Sequence, residues 1–361
     1  MAKRKGRAPT QDWSALDRHM FADDFAWIAS QANSVESDPD WKAVLGLTLT
    51  PHIARVVHEG HEWLRHSNKG AAVRVLIKHK RQIAAARHAV KLIDDREKLY
   101  EGLVSDFRTI AAVQDKEFRF GWNNFAAVQQ GSRLLTTARS ACFHVGLNVQ
   151  SGATFTTFEG NAFGEDMGQA LGSIAIEVGL GEPRSAELEL PSGPAPTNKT
   201  QRSEAFYRGR YMTEFAEAEK DIVSVVEGTV NTALVVMAPA QDMFPGPVFR
   251  ARTLTAVHAV RALSEVMTRH PELEGRREVE PVLVLLGGND VSRLISRSGT
   301  LLRNRCMHYG LPGHLTGLTR TAPDYGLVKA VDAGSGYDDF NGVVIRTLTA
   351  LSRILGEWRT P

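Results

Sequence analysis

The pattern Ser-Arg-x-x-Thr-x-x-Arg-x-x-Cys-x-His-x-Gly-Leu occurs twice in this chain, from Ser132 to Leu147 and from Ser296 to Leu311. The copies are 164 residues apart without a gap (139 to 303, 144 to 308), and both cysteines of the chain fall at the same point in the phrase. So many shared positions imply an internal duplication with diverged flanks, and hence a chain built of two related halves. The length of 361 residues, 43% of them hydrophobic, would fill one large core or two of ordinary domain size. The repeat favours two.

Helical spacing dominates the rest. Trp13, Leu16, Met20, Phe21, Phe25 and Ile28 recur mostly at steps of three and four, as on one buried helical face. Further helices are expected over 41–66, with a kink or break at Pro51, and over 71–92, 97–112 and 125–145. Gly181 to Arg202 is the richest Pro, Ser and Thr stretch and has no apolar period, so a linker or long loop is expected over 181–205. Beyond it, 206–238 reads as one long helix, 251–269 as another and 337–358 as a last one, while "PVLVLLGG" suits a short strand or a helix equally. The expected fold is all-α: a basic disordered arm (1–10), an N-terminal helical half (11–180), the linker, and a C-terminal helical half (206–361).

The arm, MAKRKGRAPT, is followed by no apolar stretch and is not a secretory signal. No window approaches the run of roughly 20 apolar residues that a membrane-spanning helix needs, so no membrane partner is expected. Two cysteines in so long a chain point to the reducing cytoplasm. Net charge is only +2, but arginine outnumbers lysine, and its planar fork suits phosphate.

Read as a helix, the phrase sets Arg297, Thr300, Asn304 and His308 along one face, with Arg133, Thr136, Ser140 and His144 as counterparts. Arg303 and Arg139 precede their histidines by five residues and reach back on long side chains. Cys306 and Cys142 fall on the core side. Such a polar stripe is either solvated or faces a cleft.

"RNRCMH" resembles the motif of the HEPN superfamily (higher eukaryotes and prokaryotes nucleotide-binding domains): arginine, often a polar residue, then histidine after four to six positions on a late helix of a small bundle. The resemblance covers only the motif helix and the following segment in each half. It implies an all-α fold and metal-independent RNA cleavage at a composite site where two domains bring their motifs together. Arg303, Asn304 and His308 match in full. Arg139 and His144 match the essential pair, but Ser140 replaces the common asparagine, which leaves the first copy catalytic, supportive or degenerate. The resemblance also implies a cytoplasmic toxin or defence enzyme, with RNA as substrate and an antitoxin or regulatory partner. A homodimer pairing Arg303 and His308 across subunits is a variant.

The residue types allow that chemistry. A neutral histidine can take the proton of the ribose 2′-OH and a protonated one can supply the leaving 5′-oxygen. Arginine can stabilise charge on the phosphate, and Arg297, Thr300, Arg133, Thr136 and Ser140 would line the substrate. No metal or cofactor is needed.

Two rivals stand beside it. A duplicated packing helix would make a non-catalytic RNA-binding or assembly module. A metal-dependent hydrolase could be built on His58, His61 and Glu62, although "HEGHEWLRH" is not the HExxH spacing. Arg74 and His79 share the Arg-x4-His spacing without the surrounding phrase, a reminder that spacing alone is weak. Arg208 and Arg210 alternate with aromatics in "FYRGRY", which suits an RNA backbone or the start of a surface helix.

Overall fold

The structure, a computed structural model, describes residues 15–86, 99–117, 123–145, 157–183, 185–311 and 315–359. The basic arm over 1–10, Trp13, Gly146, Leu147 and Pro312 lie outside the described residues.

The chain is mainly helical. Helix α1 (Ala15–Ser34) buries Leu16, Met20, Phe21 and Trp27. Helix α2 (Pro39–Thr48) is started by Asp38, whose carboxylate accepts from the backbone N–H groups of Asp40 and Trp41, with Pro39 at the first helical position. The chain breaks at Leu49, and α3 (Thr50–Ser67) restarts with Pro51 in its first turn, where the missing N–H costs nothing. Asn68 caps α4 (Lys69–Lys78) by accepting from Ala71 N–H. Helical residues 80–86 follow, and then α5 (Leu99–Glu117).

The expected helix over 125–145 is instead mostly a hairpin. Strands β1 (Phe125–Gln130) and β2 (Arg133–Thr137) pair antiparallel, and only α6 (Ala138–Val145) is helical. The reason is local: the two-residue Gly131-Ser132 turn puts Gly131 at φ +59°, which a glycine tolerates and a hairpin of this twist requires. Arg133 and Thr136 therefore do not share a helical face with His144.

After α7 (Thr157–Glu177), the segment expected as a linker supplies strand β3 (Thr197–Gln201), which completes a small sheet of order β2-β1-β3. The long helix expected over 206–238 is interrupted. The short α8 (Ser203–Tyr207) is followed by a bend where Tyr211 has φ +60°, and α9 (Glu217–Val235) begins beyond it. Then come α10 (Pro245–Thr268), α11 (Glu280–Leu286), α12 (Asn289–Ile295), α13 (Arg297–Met307), α14 (Leu327–Val331) and α15 (Tyr337–Glu357). "PVLVLL" is thus helix, closed by Gly287.

Helix α9 packs against β2 and α5 from earlier in the chain and against α10 and α15 from later in it. One contiguous cluster of buried apolar side chains runs from Leu16 to Trp358 and draws on both sides of 181–205. By length and composition Glu217–Ala240 could cross a membrane, contrary to the expectation that no window is apolar enough, yet 72% of that window is buried inside the protein.

Candidate functional site

The second copy of the phrase begins at Ser296, which caps α13 by accepting from Gly299 N–H at 3.1 Å. Arg297 is exposed, and Thr300 is half-buried and accepts from Arg261 Nη2 at 3.1 Å. Arg303 is buried and donates from Nη1 to Asn304 Oδ1 at 3.0 Å. His308 is the residue that ends α13, its backbone already extended. Its imidazole Nδ1 lies 2.9 Å from Glu59 Oε2 on α3, and its side chain keeps 41% of its surface exposed. The other Glu59 oxygen is 3.9 Å from His58 Nε2.

The first copy is spent differently. Arg139 has no exposed surface: Nη1 donates to Glu217 Oε1 at 2.7 Å and to Asp221 Oδ2 at 3.0 Å, Nε reaches Gln114 Oε1, and the guanidinium sits 5.4 Å over the Phe125 ring. Burial raises the Asp221 carboxyl to about 6 despite Arg139, because one guanidinium is shared between two carboxylates. His144 is buried, and burial lowers its imidazole to about 4. Arg133 is exposed at the start of β2, and Thr136 is buried in that strand. Ser140 shares a 2.8 Å hydrogen bond with Thr137, whose hydroxyl also accepts Ser140 N–H at the start of α6. Both cysteines are buried, on the core side as expected.

The two copies meet through α3. His52, Arg55 and Glu59 lie at steps of three and four on that helix and form one polar stripe within an otherwise apolar buried surface. Burial, reinforced by Arg55 and by His144 of the first copy, pushes His52 down to about 3. Burial, together with Arg303 of the second copy, Arg261 and His52, holds His258 of α10 far below the ordinary imidazole range. His52 Nδ1 and His258 Nε2 are closed off from solvent and have no hydrogen-bond partner among the described residues. Along α3, Arg55 Nη2 donates to Asp24 Oδ2 at 2.8 Å, as do Arg250 Nη1 at 2.8 Å and Tyr309 at 2.5 Å. Burial would raise Asp24, but Arg250 and Arg55 hold it below the ordinary carboxylate range. The far end of the stripe is Glu59 with His308. His52 and Glu59 are seven residues apart, about 10 Å along the axis of α3.

Glu59, His52, Arg55 and Asp24 are absent from the residues expected on sequence grounds. Their signal in the sequence is His52, Arg55 and Glu59 at helical spacing, beside the metal-like His58, His61 and Glu62. Those three do not converge: His61 Nε2 lies 3.3 Å from Ala72 O and Glu62 pairs with Arg65. No group of three His, Cys, Asp or Glu suited to a metal ion occurs among the described residues. Arg210 is also internal, not a surface contact: it pairs with Glu227 at 2.6 Å, which also accepts from Tyr211.

A carboxylate on one imidazole nitrogen selects the tautomer with the proton there and leaves the other nitrogen as a base. Glu59 does this to His308. Among the described residues the buried His144 has no such carboxylate, and it lacks the access to solvent that His308 has. No known protein family, no curated protein and no solved structure matches the chain.

Proposed function

We propose that the protein is a metal-independent endoribonuclease of HEPN-like type whose base is His308. The single observation that carries this reading is the half-exposed His308 imidazole held on Glu59 at 2.9 Å, at the end of the helix that matches the Arg-Asn-x-x-x-His motif in full. His308 Nε2 would take the proton of a ribose 2′-OH as that oxygen attacks the adjacent phosphorus. The 5′-oxygen leaves, taking a proton from the imidazolium or from water, and the product ends in a 2′,3′-cyclic phosphate. Glu59 is a positioning residue in this scheme, and Arg303, buried against Asn304, fixes the end of α13 rather than meeting RNA at the surface. The first copy serves structure. A cytoplasmic toxin or defence role, with an antitoxin or regulatory partner, fits such an activity.

The test is incubation of the full chain with mixed RNA in EDTA. Cleavage leaving 2′,3′-cyclic phosphate is expected, with His308→Ala reducing the rate about 10²- to 10⁴-fold and Glu59→Gln less, through a shifted pH profile. A 3′-hydroxyl product, or cleavage unchanged in His308→Ala, would overturn the proposal.

A second reading, a non-catalytic RNA-binding or assembly module, is favoured by one observation: Arg139 and Arg303, the motif arginines of the two copies, are buried, and Arg139 donates to Glu217 and Asp221. RNA binding without cleavage, equal in wild type and His308→Ala, would decide for it.

A further inference from the structure

Helix α4 carries a feature that the proposed chemistry does not use. Between Glu62 and Asp94 the sequence has no acidic residue, whereas Arg65, Lys69, Arg74, Lys78, Lys80 and Arg81 are all exposed. The inward face of α4 is buried through Ala71, Ala72 and Val75. Outward, Val73, Leu76 and Ile77 leave 53%, 40% and 78% of their surfaces in solvent. Lys69, Val73, Leu76 and Ile77 fall within about 100° of one another around α4, while Lys78 lies on the flank beside Ile77 and Lys80 and Arg81 follow just past the helix end, so basic side chains border the branched aliphatic ones. The ridge is held in place: Arg74 Nε donates to Glu177 Oε1 at 2.8 Å on α7, and His79 Nε2 lies 2.8 Å from Ser173 Oγ.

We propose that this face of α4 docks on an anionic phospholipid surface. The tips of Val73, Leu76 and Ile77 enter the boundary between headgroups and acyl chains while Lys69, Lys78, Lys80 and Arg81 meet the lipid phosphates and carboxylates. Charge complementarity names the anionic surface, and the aliphatic tips name lipid over nucleic acid. No Phe, Tyr or Trp occurs from Leu64 to Ala86, so there is no aromatic platform on which bases could stack. The docking face is also remote from His308. α4 meets α3 at His61, which contacts Ala72 O, whereas His308 meets Glu59, about 200° away around α3. A membrane partner was not expected from the sequence, because the ridge emerges only once the fold separates the buried alanines and Val75 from the exposed Val73, Leu76 and Ile77.

The test is co-sedimentation of the full chain with vesicles of phosphatidylcholine alone and of phosphatidylcholine mixed with phosphatidylserine. Binding to the mixture only, weakened by salt, is expected. Ile77→Ser should weaken it about tenfold and the pair Lys69→Glu with Lys78→Glu at least about tenfold, with thermal unfolding unchanged because all three positions are exposed. His308→Ala should bind vesicles like wild type, which keeps this result separate from the ribonuclease proposal. No binding to the mixture, or equal binding to both vesicles, overturns the proposal. So does an RNA oligonucleotide retained through the same lysines and indifferent to Ile77→Ser, which would assign the face to nucleic acid.

Discussion

His308 and His144 occupy the same place in the repeated phrase and experience opposite surroundings. One is half-exposed on a carboxylate, the other enclosed and lowered to about 4 by burial. His52, at about 3, and His258 are also held neutral in the fold. Such a histidine binds a proton more readily in the unfolded chain, so its contribution to stability is complete above the ordinary value of 6.5 and falls as pH drops below it. At pH 5 His144 and His52 each cost about 1–2 kcal/mol. Asp221, raised to about 6, has the opposite sign, since the native state holds its proton more tightly and stability gains as pH falls towards 3.8. His79, lowered chiefly by burial, acts in the same direction as the buried histidines, while His270, raised against its burial by hydrogen bonds to Glu272 and Glu219, opposes. The buried histidines outweigh it, so the melting temperature should fall from pH 7 to pH 5, and His144→Gln should flatten the curve without reducing RNA cleavage at neutral pH. Arg139→Met leaves Asp221 and Glu217 without their cation; a loss of about 3–5 kcal/mol in denaturant unfolding is expected, more than for Arg133→Met at the exposed strand end. Equal losses would show that the Arg139 pairs hold nothing together.

At the scale of elements, α3 and α9 organise the interior. Helix α3 brings a polar stripe between the two motif helices, and α9 closes over the hairpin. Gly228 of α9 lies so close to β2 that an added Cβ would stand 2.7 Å from Leu135 O, while Asn231 one turn on donates to Leu134 O at 2.8 Å. Gly228→Ala should therefore cost about 1–3 kcal/mol despite alanine's better helix propensity, measured by thermal or urea unfolding. No loss would mean that α9 can move away from the strand. The helices α1, α3, α10 and α15 were legible because their apolar positions repeat at helical spacing, and Pro51 and Pro245 stand in the first turns of α3 and α10. The hairpin was not, because the likeness of Ser132–Leu147 to Ser296–Leu311 invited one conformation for both. The Gly131-Ser132 turn between apolar runs is the signal in the sequence that marks the hairpin.

For the molecule as a whole, β3 lies against β1, and α9 is wrapped by elements from both ends of the chain. Residues 206–361 expressed alone would expose the face of α9 that covers β2 and α5, so no cooperative unfolding transition is expected from that fragment, whereas a fragment that melts as one unit would identify an autonomous half. The sequence by itself determined the mainly helical character, the burial of Cys142 and Cys306, and the placing of Arg303, Asn304 and His308 at one helix end, because helical periodicity and cap chemistry are properties of neighbours along the chain. Only the tertiary structure decided that Arg139 is consumed by Asp221 and Glu217, that Glu59 receives His308 from 249 residues away, and that α3 stands between the two copies. Those outcomes depend on which charges are removed from water together, and burial is set by packing across the whole molecule.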